Sequence, residues 1–163
     1  MAKKSVFIGL YLVFVLLGAS IQAQSFSPRL ILKEVNARRA QACSCGEQQM
    51  TAVPPLVWNE RLARAAQKHA DFLESRERFS HTGRRGSTVA QRVEAEGYQW
   101  MGVGENIAGG QEDEAEVVAG WMGSPGHCAN IMNGEFTEMG VARSKKGSIW
   151  VQVLGRPAAG SGK

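Results

Sequence analysis

The chain predicts an α+β domain, and three observations carry that prediction. One long stretch, Asn59–Arg78, repeats apolar residues at the three-to-four spacing of an amphipathic helix. Two later runs, Phe136–Ser144 and Ser148–Leu154, are rich in Val, Ile, Met and Trp and flank Lys145-Lys146-Gly147, the pattern of a β-hairpin with Gly in its turn. Helical patterns also occupy most of the chain before those runs, so helices and strands are segregated rather than alternating.

Residues 1–23 stand apart from this domain. Lys3 and Lys4 precede an apolar run, Val6–Leu17, then small residues and Ile21-Gln22-Ala23, which is the layout of an export signal cleaved after Ala23. The run is shorter than the ~20 apolar residues a membrane span needs. Residues 24–155 form the expected domain and 156–163 a frayed tail of small residues. The 163-residue chain has a formal net charge of +4; the leader holds two of the nineteen basic residues and none of the fifteen acids, leaving +2. Basic pairs such as Arg84-Arg85 and Lys145-Lys146 are isolated, so no nucleic-acid partner is indicated.

Ser27-Pro28 opens the first expected helix, Ser27–Gln41, with Leu30, Ile31 and Val35 on one stripe and Arg38 interrupting it. Cys43–Pro55 has no period and ends in Pro54-Pro55, so it reads as a loop. Asn59 caps the main helix, whose stripe is Leu62, Ala65, Ala66, His69, Phe72 and Leu73. His69 lies within that stripe and is expected to be a buried, hydrogen-bonded core residue. A loop follows with Phe79 and His81, then a short helix Thr88–Glu96 ended by Gly97. Gly102–Gly110 predicts a short strand with Glu105 drawn inward; its glycine spacing is not a dinucleotide fingerprint. Glu112–Trp121 predicts a helix with acids in its first turn, where the macrodipole favours them. Ser124-Pro125-Gly126 is expected to stop it, leaving His127 just past the break.

Three cysteines, Cys43, Cys45 and Cys128, in an exported chain predict one disulfide and one leftover thiol. Cys43 and Cys45 are too close for a relaxed mutual bridge, so one of them should reach Cys128. A Cys/His metal cluster is the competing reading, but C-x-C with one distant Cys fits no standard zinc spacing.

The stretches His69–Gly83, Val103–Gly110, Val117–Met132 (with SPGH-x-x-NIM), Phe136–Arg143 and Ile149–Gly155 together resemble the CAP superfamily of cysteine-rich secretory, antigen 5 and pathogenesis-related proteins, in its bacterial SCP-domain branch. The resemblance implies a three-layer α-β-α sandwich with a small central antiparallel sheet. It also implies a polar cavity holding His81, Glu105 and His127, a set able to bind zinc or another divalent cation. The family's second Glu is missing after Trp121; Ser124 and Glu138 are the candidates to take its place, and Asn130 of the NIM pattern joins the cavity set. The family pairing implied for the cysteines is Cys45–Cys128, with Cys43 spare.

The function expected is a secreted, non-enzymatic binding module, monomeric and periplasmic or extracellular. Its ligand would be a lipid or sterol, a peptide or a cell-wall component. A hydrolase built on Ser124, His127 and Glu105, or on a metal-bound water, is the alternative. Ser124 lacks a nucleophile-elbow setting, and a bridged Cys128 is no nucleophile.

Overall fold

The structure, a computed structural model, describes residues 26–160. The expected leader, 1–23, lies outside the described residues. In chain order the elements are α1 (Pro28–Arg39), β1 (Cys43–Cys45), β2 (Gln48–Met50), β3 (Val57–Trp58), α2 (Glu60–Arg76), α3 (Val89–Ala95), β4 (Trp100–Gly109), α4 (Glu114–Met122), α5 (Pro125–Ile131), β5 (Glu138–Arg143) and β6 (Ile149–Pro157). A four-stranded sheet of order β3-β5-β6-β4 forms the middle layer. Helix α2, with α3 beside it, covers one face; α1, α4 and α5 cover the other. None of the described helices is long and apolar enough to cross a membrane.

The sheet is not wholly antiparallel. β5 and β6 form the expected hairpin and β4 pairs antiparallel with β6, but β3 runs parallel to β5, with Val57 opposite Glu138. β3 is two residues long because Asn59 then caps α2, accepting from the amides of Arg61 and Leu62. Its backbone is anchored at both ends, Val57 N–H to Thr137 O and Asn59 N–H to Met139 O.

Two glycines let the layers close. A Cβ on Gly140 of β5 would sit 2.1 Å from the amide nitrogen of Ala63, so only a glycine lets α2 lie this close to the sheet. A Cβ on Gly109 of β4 would meet Phe79 Cζ at 2.3 Å. The Phe79 ring therefore rests across the end of β4 and ties down the loop after α2.

Helix α1 buries Ile31, Val35 and Arg39, at i, i+4 and i+8. The stripe thus continues through Arg39, not Arg38. Arg39 is 0% exposed and, among the described residues, pairs with no carboxylate. Its guanidinium donates to four carbonyls: Pro54 (2.8 Å), Ile131 (2.6 Å), Asn133 (3.0 Å) and Phe136 (3.1 Å). A planar five-donor group can satisfy several carbonyls at once, and here it fastens α1 to the end of α5 and the start of β5.

One expectation is corrected here. Residues 43–50 are not an open loop but a two-stranded hairpin, with Gly46 in its turn at φ +64°. The helix from Glu114 does stop before Ser124-Pro125-Gly126, and the same stretch starts another: Ser124 is an N-cap, Pro125 the first residue of α5, and His127 lies just past the break in its first turn. At the C-terminus, β6 runs to Pro157, two residues into the stretch expected to fray.

Candidate functional site

Glu105 organises the site. Its place on β4, opposite Val153 of β6, turns its side chain toward α2, and the residue is 6% exposed. A carboxylate buried so deeply needs donors. One oxygen accepts from Arg92 Nη2 at 2.6 Å; the other accepts from His81 Nδ1 at 2.9 Å and lies 3.7 Å from His69 Nε2.

Arg92 reaches Glu105 because α3 is fixed by a capping box, in which Thr88 and Gln91 satisfy each other's backbone amides. Its other terminal nitrogen donates to Ser87 O (2.8 Å) and His81 O (3.2 Å). One guanidinium thus pins the 81–87 loop to the strand. Gly83 completes the fit: a Cβ there would sit 2.6 Å from Ser87 Oγ.

The three histidines differ in environment. His69 is buried on α2 and its Nε2 lies 2.9 Å from Ser80 O, so that nitrogen carries the proton. Burial lowers its pKa, opposed in part by Glu105, which leaves a neutral ring whose Nδ1 has no partner. His81 is the exposed member, its side chain 65% accessible, and with Nδ1 committed to Glu105 its Nε2 is the nitrogen left for solvent or ligand. His127 is half-buried; burial first, then a nearby charge on His81, lower its pKa.

Below them lies a second network, on the opposite face of β4. Asn106, fully buried, donates to His127 O (3.1 Å) and Gln152 Oε1 (2.9 Å) and accepts from Asn130 Nδ2 (2.8 Å). Asn130 also donates weakly to Glu105 O at 3.4 Å. These amides hold α5, and with it His127, against β4.

The structure thus brings His81 and Glu105 into direct contact, sets His127 nearby and places Asn130 beneath. Glu138 is elsewhere, which corrects the expectation that it replaces the missing acid. It accepts from Asn59 Nδ2 at 3.1 Å, and with burial its charge pushes the Tyr98 hydroxyl well above its usual range. Asn59 starts α2 while His69 is ten residues along it, a rise of about 15 Å. Ser124 caps α5 by backbone alone, its side chain making no capping hydrogen bond. The Glu105 oxygens are engaged by His81 and Arg92, not by His127. Ser124, His127 and Glu105 are thus not linked as a charge-relay triad in this arrangement.

The same contacts bear on a metal. Among the described residues, the three cysteine sulfurs form the only His/Cys/Asp/Glu group whose ligand atoms all lie within 4.8 Å of one another. His81, Glu105 and His127 are not among the groups of three or more such residues there, and Arg92 sets a positive charge against the carboxylate. As arranged, this trio does not fit a preformed divalent-cation site.

Two open clefts flank the 78–87 segment. One, of about 530 Å³, is lined in part by Phe72, Arg76, Arg78, Ser80 and Thr82. The other, of about 480 Å³, is lined in part by Lys68, His69, Asp71, Phe72, Arg84 and Arg92. Sequence reasoning missed Arg92, Asn106 and Gln152; the Thr88-x-x-Gln91 signature of a capping box was the available hint for the first.

The sandwich has known counterparts. The chain belongs to the cysteine-rich secretory protein (CAP) family, whose model matches residues 32–154. It is 35% identical to YkwD of Bacillus subtilis strain 168 over 106 residues, which is 65% of this chain and 41% of that protein. Its fold matches an extracellular SCP-domain protein of Bacillus anthracis strain Ames with a TM-score of 0.69 at 26% identity, covering 79% of this chain and 40% of the other. NaASP2, crystallised with Zn2+, matches with a TM-score of 0.57 at 16% identity over 84% of each chain. The chain spans less than half the length of the first two of these relatives.

The disulfide is Cys45–Cys128, with Cα atoms 5.4 Å apart. Cys43 is left as a thiol.

Proposed function

We propose that this chain is an exported binding module whose ligand seats over His81 and His127 and extends into the flanking clefts. The observation that carries the reading is the contrast between Glu105 and its surroundings. Its charge is already matched by Arg92 inside the protein, so one cleft keeps a cationic lining. Arg76 and Arg78 flank that side with no acid among the lining residues; on the other, Arg92 is matched by Glu105 and Lys68 pairs with Glu96, which leaves Arg84 and Asp71. Phe72 borders both. Such a surface suits a polar, anionic ligand with a small apolar part, which favours an acidic cell-wall component over a sterol. Export is supported by the disulfide and by the extracellular relative.

Titration with soluble anionic cell-wall fragments tests this. Arg78→Glu and Arg84→Glu together should weaken binding at least about tenfold, since each reverses a charge at the cleft. Equal affinity of wild type and double variant for the fragments would refute the cationic-cleft reading. A fatty-acid vesicle and an acidic peptide serve as the lipid and peptide arms.

A divalent cation is the second reading, favoured by the zinc-bound crystal of NaASP2. It requires the two imidazoles to draw together while Arg92 holds Glu105 back. A Zn2+ titration of wild type, His81→Ala and His127→Ala decides it: tight binding lost in both variants supports the site, and equal weak binding in all three rejects it.

A further inference from the structure

The bridge between β1 and α5 has a third sulfur beside it. Cys43 and Cys45 are two residues apart on one extended strand, so their side chains leave the same face. The Sγ atoms of Cys43, Cys45 and Cys128 all lie within 4.8 Å of one another. Access separates them. Cys128 is 0% and Cys45 4% exposed, whereas Cys43 is only partly buried. The disulfide is sealed behind, and the thiol stands in front of it.

We propose that Cys43 is an internal relay nucleophile, through which small external thiols reach a disulfide they cannot touch directly. In the first step the Cys43 thiolate attacks Cys128 Sγ. A Cys43–Cys128 bond forms, the Cys45–Cys128 bond breaks, and its electron pair leaves on Cys45 as a thiolate. Attack on Cys45 instead would close a bridge across one residue of a strand, with Cα atoms about 6.6 Å apart, near the upper limit for a disulfide. The original bridge spans 83 positions and the exchanged one two more, so loop-closure entropy scarcely distinguishes them. Burial of the leftover thiol sets the balance.

In the second step an external thiolate attacks Cys43 Sγ, now the accessible end of the bridge. A mixed disulfide forms on Cys43 and Cys128 leaves as a thiolate. A second external thiolate attacks the external sulfur of that mixed disulfide, releasing Cys43 as a thiolate and departing as the external disulfide. Two external thiols have been oxidised and one protein disulfide reduced to two thiols, so electrons balance. Run backwards, the same steps let a small external disulfide close the bridge. The relay acts on α5, the helix that also carries His127, and on the β1–β2 turn, where Gly46 packs against Pro125.

The test compares wild type with Cys43→Ser, both purified oxidised, exposed to reduced glutathione at about pH 8, where thiolates form. Samples are acid-quenched, alkylated and mapped as unreduced peptides. In Cys43→Ser the bridge should open at least about tenfold more slowly, because its buried sulfurs lack an internal attacker. Wild type should carry glutathione on Cys43 and pass through a Cys43–Cys128 peptide with Cys45 alkylated. Equal opening rates in the two proteins would overturn the relay, as would glutathione found only on Cys45 or Cys128. Should Cys43→Ser fail to fold, the wild-type map decides alone: an exchanged bridge supports the relay, and Cys43 labelled beside a Cys45–Cys128 bridge that never exchanges ends it.

Discussion

Glu105 and Asn106 are neighbours on β4, yet they serve two different halves of the molecule. Glu105 faces α2 and enters an ionic cluster that opens to solvent at His81. Asn106 faces α5 and enters a sealed amide network with Gln152 and Asn130. The α5 side also holds the disulfide, buried Trp121 and the four carbonyl bonds of Arg39. One face of the sheet is closed, although among the described residues the buried indole Nε1 of Trp121 makes no hydrogen bond there. The other keeps an imidazole in water, a His69 nitrogen without a partner among the described residues, and a cleft lined by Arg76 and Arg78 with no acid. The lesson is a division of labour: the closed face holds the fold rigid so that the open face can present charged groups.

Perturbing the closed face should cost the most. Replacing both Cys45 and Cys128 by Ser removes a cross-link enclosing more than 80 positions and should lower unfolding free energy by about 4 kcal/mol, read by denaturant titration. Arg39→Met leaves buried carbonyls unpaired and should cost about 3 kcal/mol by the same measurement. A loss below about 1 kcal/mol would mean that water takes over those carbonyls and that this face is less sealed than described.

On the open face the effects should be smaller and conditional. Arg92→Met strands the Glu105 carboxylate and should cost about 2 kcal/mol; adding Glu105→Gln should restore at least about half, because the uncompensated charge is then gone. Additive losses would show that the two side chains act independently.

The pH dependence should be smaller still. His69 and His127 both have lowered folded pKa values, so below the ordinary value of 6.5 the unfolded chain binds protons that the folded chain resists. Their contribution is therefore complete above about pH 6.5 and is lost as pH falls through the interval beneath it. The carboxylates of Glu74 and Glu96, lowered by their hydrogen-bond donors against the opposing effect of burial, act in the same sense, but their contribution is lost only as pH drops past their usual 4.5. Thermal melts between pH 5 and 7 should thus show a falling midpoint toward acid, and His69→Gln should flatten the slope. An unchanged slope would place the titration elsewhere.

Much of this contrast was legible in the sequence. The α2 stripe and the β5–β6 hairpin follow directly from periodicity, because each buries one face against the other. His81, Glu105 and His127 were found through motifs shared with a family. The losses have physical reasons. Ser27-Pro28 and Ser124-Pro125 are the same helix-start signal; at the second, the end of α4 was legible but the start of α5 was not, because a glycine follows the proline. Residues 43–50 form strands too short for a period to show. Arg39 was invisible because three of the four carbonyls that satisfy its guanidinium come from 92 and more positions away. Glu138 was misplaced because strand alternation gives the face of the sheet but not the position along α2. Arg92 offers no pattern of its own; only the fold shows that it shares a carboxylate with His81.

The most direct measurement is calorimetric titration of the His81→Ala/Arg84→Ala double variant, both on the open face, with the same anionic cell-wall fragments, alongside its melting temperature. If the open face binds and the closed face stabilises, affinity should fall at least about tenfold while the melting midpoint moves by less than about 3 °C. Undiminished affinity, or a collapse of the midpoint, would contradict that separation.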